Sequence, residues 1–385
     1  MTKDADIIIV GGGLAGLAAA ASLARLDLNI IHLAPTAPPD RRTSALMMPS
    51  VDFLRKSGLV DDPASLGHAL TAIRIIDATP RLIRAPETLF DANEIGLSAF
   101  GWNFGNEALM ARFQSAAPAD RIETRNIAVT DYHREGELGA VTLADGNVLR
   151  APLVVGADGK KSLIRTKAGI ATRENQFDES ALVCDLELAR PIGGASIEFH
   201  YPHGPFTLVP AGGNRANLVW IDEDAVLRRA QAGGPEALLA ALAEKSQRLF
   251  GAIKLASPSF IFPLSVLSVG QAGIAGTALV GESAHAFPPI GAQGLNLGLR
   301  DVSDLVEAVS AADTTRPDWG ILASEDYSRR RNSDLTRTGM FVETLFRSLL
   351  ADMLPSQTLR AGGLWALKLI PALRKQAFAL GMGER

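Results

Sequence analysis

The chain has 385 residues, with 38 Lys and Arg against 42 Asp and Glu and a net charge of −4 at pH 7. This near balance argues against a nucleic-acid partner, and a 47% hydrophobic content supplies cores for roughly two or three domain-sized units. A lone cysteine, Cys184, excludes an internal disulfide, fits a reducing cytosol and reads as a small apolar core residue.

Asp6 to Val10 reads as a short apolar strand, followed by Gly11-Gly12-Gly13-Leu14-Ala15-Gly16 and an alanine-rich helix through Arg25. This is GxGxxG in the strand-to-helix setting of a dinucleotide site: Gly11 for the tight turn, Gly13 for approach to a pyrophosphate, Gly16 for close helix packing. The apolar run from Ile7 to Ala24 is broken only by Ser22, yet its glycines belong to that turn, so a membrane span is rejected. The preceding Met1 to Asp6 holds two acids and one lysine, unlike a signal peptide, and no targeting segment is expected. The strand Asn29 to Leu33 should end in an acid for the adenosine ribose, but the chain reads His32-Leu33-Ala34-Pro35 and the nearest acid is Asp40. Either the ribose is held otherwise or the dinucleotide is bound more loosely.

Arg42 lies in the next loop, where it could approach a cofactor or its phosphates or simply be solvated. Asn106, in Gly105-Asn106-Glu107-Ala108-Leu109, reads as a helix N-cap, a role compatible with a cofactor contact. Leu153 to Gly156 is a further apolar strand running into Ala157-Asp158-Gly159, with Lys160, Lys161, Ser162 and Arg165 behind it. Alone, Asp158-Gly159 is a common turn. Ala195 to Tyr201 and Phe206 to Trp220 alternate like antiparallel strands, with Tyr201 and Trp220 as sheet packing.

Ala278-Leu279-Val280 reads as the last buried strand, and the run Gly281 to Gly294 opens a helix at about Gly294. A helix N-terminus presents unpaired N–H groups and about half a positive charge, suited to the pyrimidine end of a flavin, where reduction accumulates negative charge. Gly281, Gly291, Gly294, Leu295 and Asn296 would form that cradle, and Glu282 could accept hydrogen bonds from ribitol hydroxyls. An ordinary glycine-rich connection is the alternative.

The organisation is interleaved. Residues 1–72, 100–175 and 266–345 carry the signals of a nucleotide-binding domain, whereas 73–99 and 176–265 read as an antiparallel sheet roofing the flavin. From Arg329 to Arg385 there are ten Lys or Arg against four acids, with Leu345, Leu349, Met353, Leu364, Leu367 and Leu373 at helical spacing. The helical region 346–385 therefore suits an anionic membrane surface, or else packs on the core with solvated basic faces. No metal-ligand cluster is evident.

The three glycine-bearing elements, in this order, resemble the group A flavoprotein monooxygenases of the p-hydroxybenzoate hydroxylase fold. Asp40-Arg41-Arg42-Thr43-Ser44-Ala45-Leu46, the helix from Ser50 to Gly58, and the hairpin of Pro205 to Pro210 with Asn217 to Trp220 are similar to the ubiquinone-biosynthesis hydroxylases. Pro288 to Asn296 resembles their alphaproteobacterial branch, while Glu282 stands where most relatives have Asp. The resemblance spans nearly the whole chain. It implies an α/β fold in which a Rossmann-type FAD domain is interleaved with an antiparallel β-sheet substrate domain, plus C-terminal helices. It gives Asp158 and Gly159 a second cofactor contact, and places Asn106 where relatives carry a polar residue on a helix crossing the flavin.

The implied reaction is hydroxylation of a polyprenylated phenol in ubiquinone biosynthesis, using FAD, O2 and either NAD(P)H or a ferredoxin as electron donor. Reduced flavin would form a hydroperoxide with O2, attacked by a ring whose own phenol oxygen activates it. Pro288 and Pro289 would set rigid carbonyls near the reacting face, and His285, His200 or His203 would deprotonate the phenol or be structural. A peripheral contact with the inner face of the plasma membrane, other ubiquinone-biosynthesis enzymes as partners, and a homodimer are the further expectations. The alternatives are a soluble aromatic-acid or natural-product hydroxylase of the same fold, and a non-catalytic flavin-binding assembly subunit.

Overall fold

The computed structural model describes residues 2–80, 85–289 and 293–350. Ile7–Val10 is buried throughout, as a central strand covered on both faces must be. It pairs in parallel with Leu153–Gly156 on one side and Ile30–Leu33 on the other. Thr277–Leu279 adds beside Leu153–Gly156, Ile122–Arg125 beside Ile30–Leu33, and Gly273–Ile274 closes the six-stranded sheet antiparallel to Thr277–Leu279.

The register places the three motifs together. Val10 is opposite Gly156, and Gly156 is opposite Leu279, so these strands end at one level. Gly11, Ala157 and Val280, far apart in sequence, leave the sheet side by side at its carboxyl edge, where open α/β sheets bind ligands. The first helix, Leu14–Leu23, is apolar all round and nearly all buried, so Gly16 is needed for its approach. A Cβ on Gly16 would stand 2.1 Å from the Gly11 oxygen.

A nine-stranded sheet forms the second layer. Its long strand Thr172–Leu188 pairs antiparallel with Phe260–Val269 and Arg215–Glu223, and the hairpin partner Gly204–Pro210 follows. Ala195–Tyr201 then pairs in parallel with Ala72–Asp77, and Thr88–Asp91 is one edge. At the other edge, His285–Ala286 pairs with Leu267 and Ser268, so the glycine-rich segment is itself a strand of this sheet. The fold is thus the expected α/β arrangement, with a pair of helices that the sequence did not announce. Two helices, Asp224–Ala232 and Gly234–Lys245, bring Leu227, Leu238 and Leu242 into one core with Phe199, Phe206 and Trp220. Cys184 shares that core, where burial pushes its thiol up to about 12.

Helices Gln293–Ser310 and Trp319–Leu350 complete the described chain. Among the described residues no helix is long and apolar enough to cross a membrane, and no group of three or more metal-ligating side chains occurs. The basic stretch from 351 onward and Gly291 lie outside the described residues.

Candidate active site

The first motif forms an open anion cradle. Gly11 has φ +126°, a conformation side chains avoid, and a Cβ there would lie 2.1 Å from the Ala157 oxygen. Gly13 caps the first helix with no side chain and no acid follows in the first turn, so the helix N–H groups are unspent. A Cβ on Gly13 would meet nothing within 4 Å. That space beside a helix N-terminus fits a pyrophosphate.

His32, not singled out by the sequence reading, holds this turn from behind. Its buried Nε2 lies 2.9 Å from the Gly11 oxygen, and a carbonyl only accepts, so Nε2 carries the proton. Burial lowers its pKa and favours the neutral ring, outweighing the hydrogen bond to Gly11, which acts the other way. At the strand end no carboxylate appears among the described residues. Instead Asn126 accepts from the Thr36 amide at 2.6 Å and donates to the Thr36 hydroxyl.

The central motif is held mainly by its own turn. Asp158 accepts from the amides of Leu163 (2.7 Å) and Ile164 (3.1 Å) and from the Ser162 hydroxyl, so its carboxylate caps the short helix Leu163–Lys167. Gly159 beside it has open space where a Cβ would point. Lys160 pairs with Glu174 and reaches the Ser265 hydroxyl. The buried Arg165 donates at 2.8 Å to the oxygens of both Lys160 and Ser283, which ties this motif to the third. Desolvation lowers its pKa, with Asp158 and Glu174 opposing.

In the third motif Gly281 has φ +63°, and its amide donates to buried Asp301 at 2.8 Å. Ser283 donates to the oxygens of Gly156 and Val280. Between these anchors Glu282 is exposed. Gly294, in the first turn of the helix Gln293–Ser310, again has open space at its Cβ position, and Leu295 is half-buried. The Asn296 side chain is engaged within the protein: its Oδ1 accepts from the Met47 amide and its Nδ2 donates to the Ala45 oxygen, both at 2.8 Å. It straps the strand Thr43–Met47 to the helix start. Pro288 is buried and Pro289 exposed.

Arg42 and Asn106 meet at Asp40. Arg42 forms two bonds to its carboxylate, at 2.8 and 2.9 Å, and Asn106 donates to it at 2.9 Å while accepting from Ser44 at 2.7 Å. Burial raises the Asp40 pKa, but the bonds from Arg42 and Asn106 prevail and hold it below the ordinary carboxylate value. Gly105, not Asn106, is the helix N-cap; Asn106 is the first helical residue and its side chain serves Asp40. The Arg42 pKa is raised chiefly by its bond to Asp40, and the charge of Glu282 adds to this. Arg42, Asp40, Asn106 and Glu282 therefore share one corner.

Each of the three candidate histidines lies beside a carboxylate. His285 is 1% exposed, with Nε2 2.6 Å from Asp301, which turns its imidazole into the core. His200 lies 3.4 Å from Glu198, and His203 lies 3.6 Å from Glu223. Trp220 donates to Asp222 within the sheet core, and Tyr201 donates to the Lys245 oxygen.

The FAD binding domain family matches residues 4–338 of the chain. Ubiquinone hydroxylase UbiL of Rhodospirillum rubrum is 29% identical over 99% of this chain and 90% of its own length. The 3-demethoxyubiquinol 3-hydroxylase of Escherichia coli is 30% identical over 98% of both chains. The crystal structure of p-nitrophenol 4-monooxygenase PnpA from Pseudomonas putida DLL-E4 superposes over the whole of both chains with a TM-score of 0.81 at 18% identity, a likeness of fold.

Proposed function

Since the chain belongs to the FAD binding domain family, among its ubiquinone-biosynthesis hydroxylases, and is an FAD-dependent monooxygenase, we propose that it hydroxylates the ring of a polyprenylated phenol. The observation that carries this reading is the meeting of three motifs at the carboxyl edge of one parallel sheet, with the last motif also a strand of the nine-stranded sheet. One cradle thus joins the place for a dinucleotide to the sheet that would bear the substrate.

Gly13 and the first helix N-terminus would take the pyrophosphate, and Glu282 the ribitol hydroxyls. The start of the helix Gln293–Ser310 would meet the pyrimidine end of the ring. When bound and reduced, FAD activates O2 so that one oxygen atom passes to an electron-rich ring and the other leaves as water. NAD(P)H or a ferredoxin supplies the electrons in this proposal. A phenol activates its own ortho and para carbons, so the task left to the chain is to orient the ring and exclude water. The exposed Pro289 and the buried Pro288 stiffen the segment leading into the helix start.

Quinone intermediates in a deletion strain provide the test. A polyprenylated phenol lacking one ring hydroxyl should accumulate, and the wild-type gene should clear it where a Gly13→Val gene should not. Normal quinone in the deletion strain would overturn the proposal.

A lipid-borne substrate places the work at a bilayer surface, and we assign that contact to the basic stretch beyond residue 350. Each cation near an anionic surface contributes about 1 kcal/mol, screened by salt. Neutralising Arg360, Lys368, Arg374 and Lys375 should weaken liposome binding and slow turnover of long-tailed substrate, while a short-tailed soluble analogue turns over as before. Parallel loss with both substrates would mean these residues are structural.

A further inference from the structure

We propose that Arg331, remote in sequence from every glycine motif, is a positioning residue that fixes the turn Gly281–Ser283 by clamping Asp301. The inference rests on the reading of that turn as the cofactor's ribitol contact. Arg331 lies on the helix Trp319–Leu350 and is fully buried, as is Asp301.

The two oxygens of Asp301 have separate duties. Oδ2 accepts from the Gly281 amide at 2.8 Å and from His285 Nε2 at 2.6 Å. Oδ1 faces Arg331 Nη2 at 2.7 Å, an ion-pair contact whose angle falls outside hydrogen-bond geometry. Arg331 Nη1 is shared between Asp304 at 3.0 Å and Asp334 at 2.5 Å. A carboxylate held on one oxygen by a fixed cation can aim the other, and the object aimed at is a backbone amide of the turn. Burial opposes the charge on Asp301, but His285 and Arg331 outweigh it and keep the group ionised.

The turn has little freedom to find another arrangement. Gly281 is left-handed, a Cβ on it would press on Ala15 at 2.9 Å, and the Cα of Gly281 lies 3.3 Å from the Cβ position of Gly298. Its other end is held through Ser283, whose oxygen accepts from Arg165. The same helix that carries Arg331 also grips the strand leading into the turn. Tyr327 donates to the Leu279 oxygen at 2.6 Å and Ser324 accepts from the Gly276 amide at 2.9 Å. Glu282 projects from a segment thus anchored before, within and after.

Hydrogen exchange on the apoprotein, with FAD titration alongside, tests the clamp. In Arg331→Met the peptide 277–289 should exchange at least tenfold faster while the peptide 5–25 keeps its wild-type rate, and the Kd for FAD should rise at least tenfold. Arg331→Lys, which keeps the charge but cannot reach Asp301 and Asp304 together with a planar fork, should show the same pattern at a few-fold amplitude. That variant decides the matter if Arg331→Met does not fold. Arg330→Met is the control, since Arg330 lies on the surface and pairs with Asp326 and Glu307. Equal loosening of both peptides, or an unchanged turn, would overturn the inference. A wild-type protein that bound no FAD would instead remove the cofactor reading on which it rests.

Discussion

Gly13→Val protein should fold and remain soluble, yet purify without flavin and fail to gain it from added FAD. The structure explains why this position separates cofactor from fold. A Cβ at Gly13 meets no atom of the described residues beyond its chain neighbours within 4 Å, whereas one at Gly11 or Gly16 would strike a backbone oxygen at 2.1 Å. Substitution at those two would deform the turn itself and mix two effects. Valine at Gly13 fills only the space in front of the helix N–H groups, where the pyrophosphate would approach. A rise in Kd of at least about a hundredfold is expected, equivalent to about 2.8 kcal/mol. Circular dichroism should match wild type while flavin absorbance is absent. Stoichiometric FAD in the purified variant would remove the first motif from the site.

The second large effect is expected at Glu282. The exposed carboxylate makes no hydrogen bond to the described residues, so its removal should cost the apoprotein little. Arg42 keeps Asp40 as its principal partner, and the local pair survives. A charge-assisted contact to a ribitol hydroxyl is worth roughly 1.5–3 kcal/mol. Glu282→Ala should therefore weaken FAD about tenfold or more at unchanged thermal midpoint, and Glu282→Asp should be mild. Equal affinity in all three proteins would show that the turn holds no part of the cofactor.

What could be read from sequence followed the range of the forces involved. Ile7–Val10 and Leu153–Gly156 announce themselves because a parallel strand buried on both faces must be apolar at every position. Ala195–Tyr201 is legible from alternation, and the helix Gln293–Ser310 from the glycine run before it. The polar partners were not legible. Asn106 pairs with Asp40 across 66 residues and Asn296 with Met47 across 249, and nothing local encodes such distances. Asp158 reads as a cofactor ligand in a motif, but its oxygens also meet the amides a few residues ahead. His32 carried a signal that went unused: a polar side chain in an otherwise apolar buried strand needs a partner, and here it is the Gly11 oxygen. The helices Asp224–Ala232 and Gly234–Lys245 are short, and Gly233-Gly234-Pro235 between them reads as a loop.

The order in which the parallel sheet is assembled bears on the nascent chain. Thr277–Leu279 covers the flank of Leu153–Gly156, yet the ribosome delivers it more than 120 residues later. Until then Leu153–Gly156 is an unprotected sheet edge with a fully buried-type composition, the kind of surface that recruits other chains. FAD cannot relieve the exposure early, because Gly281 and the helix after it are also still to come. Translation that stalls between about residues 160 and 275 should therefore release aggregation-prone fragments, and abundant free FAD in the cell would not rescue them.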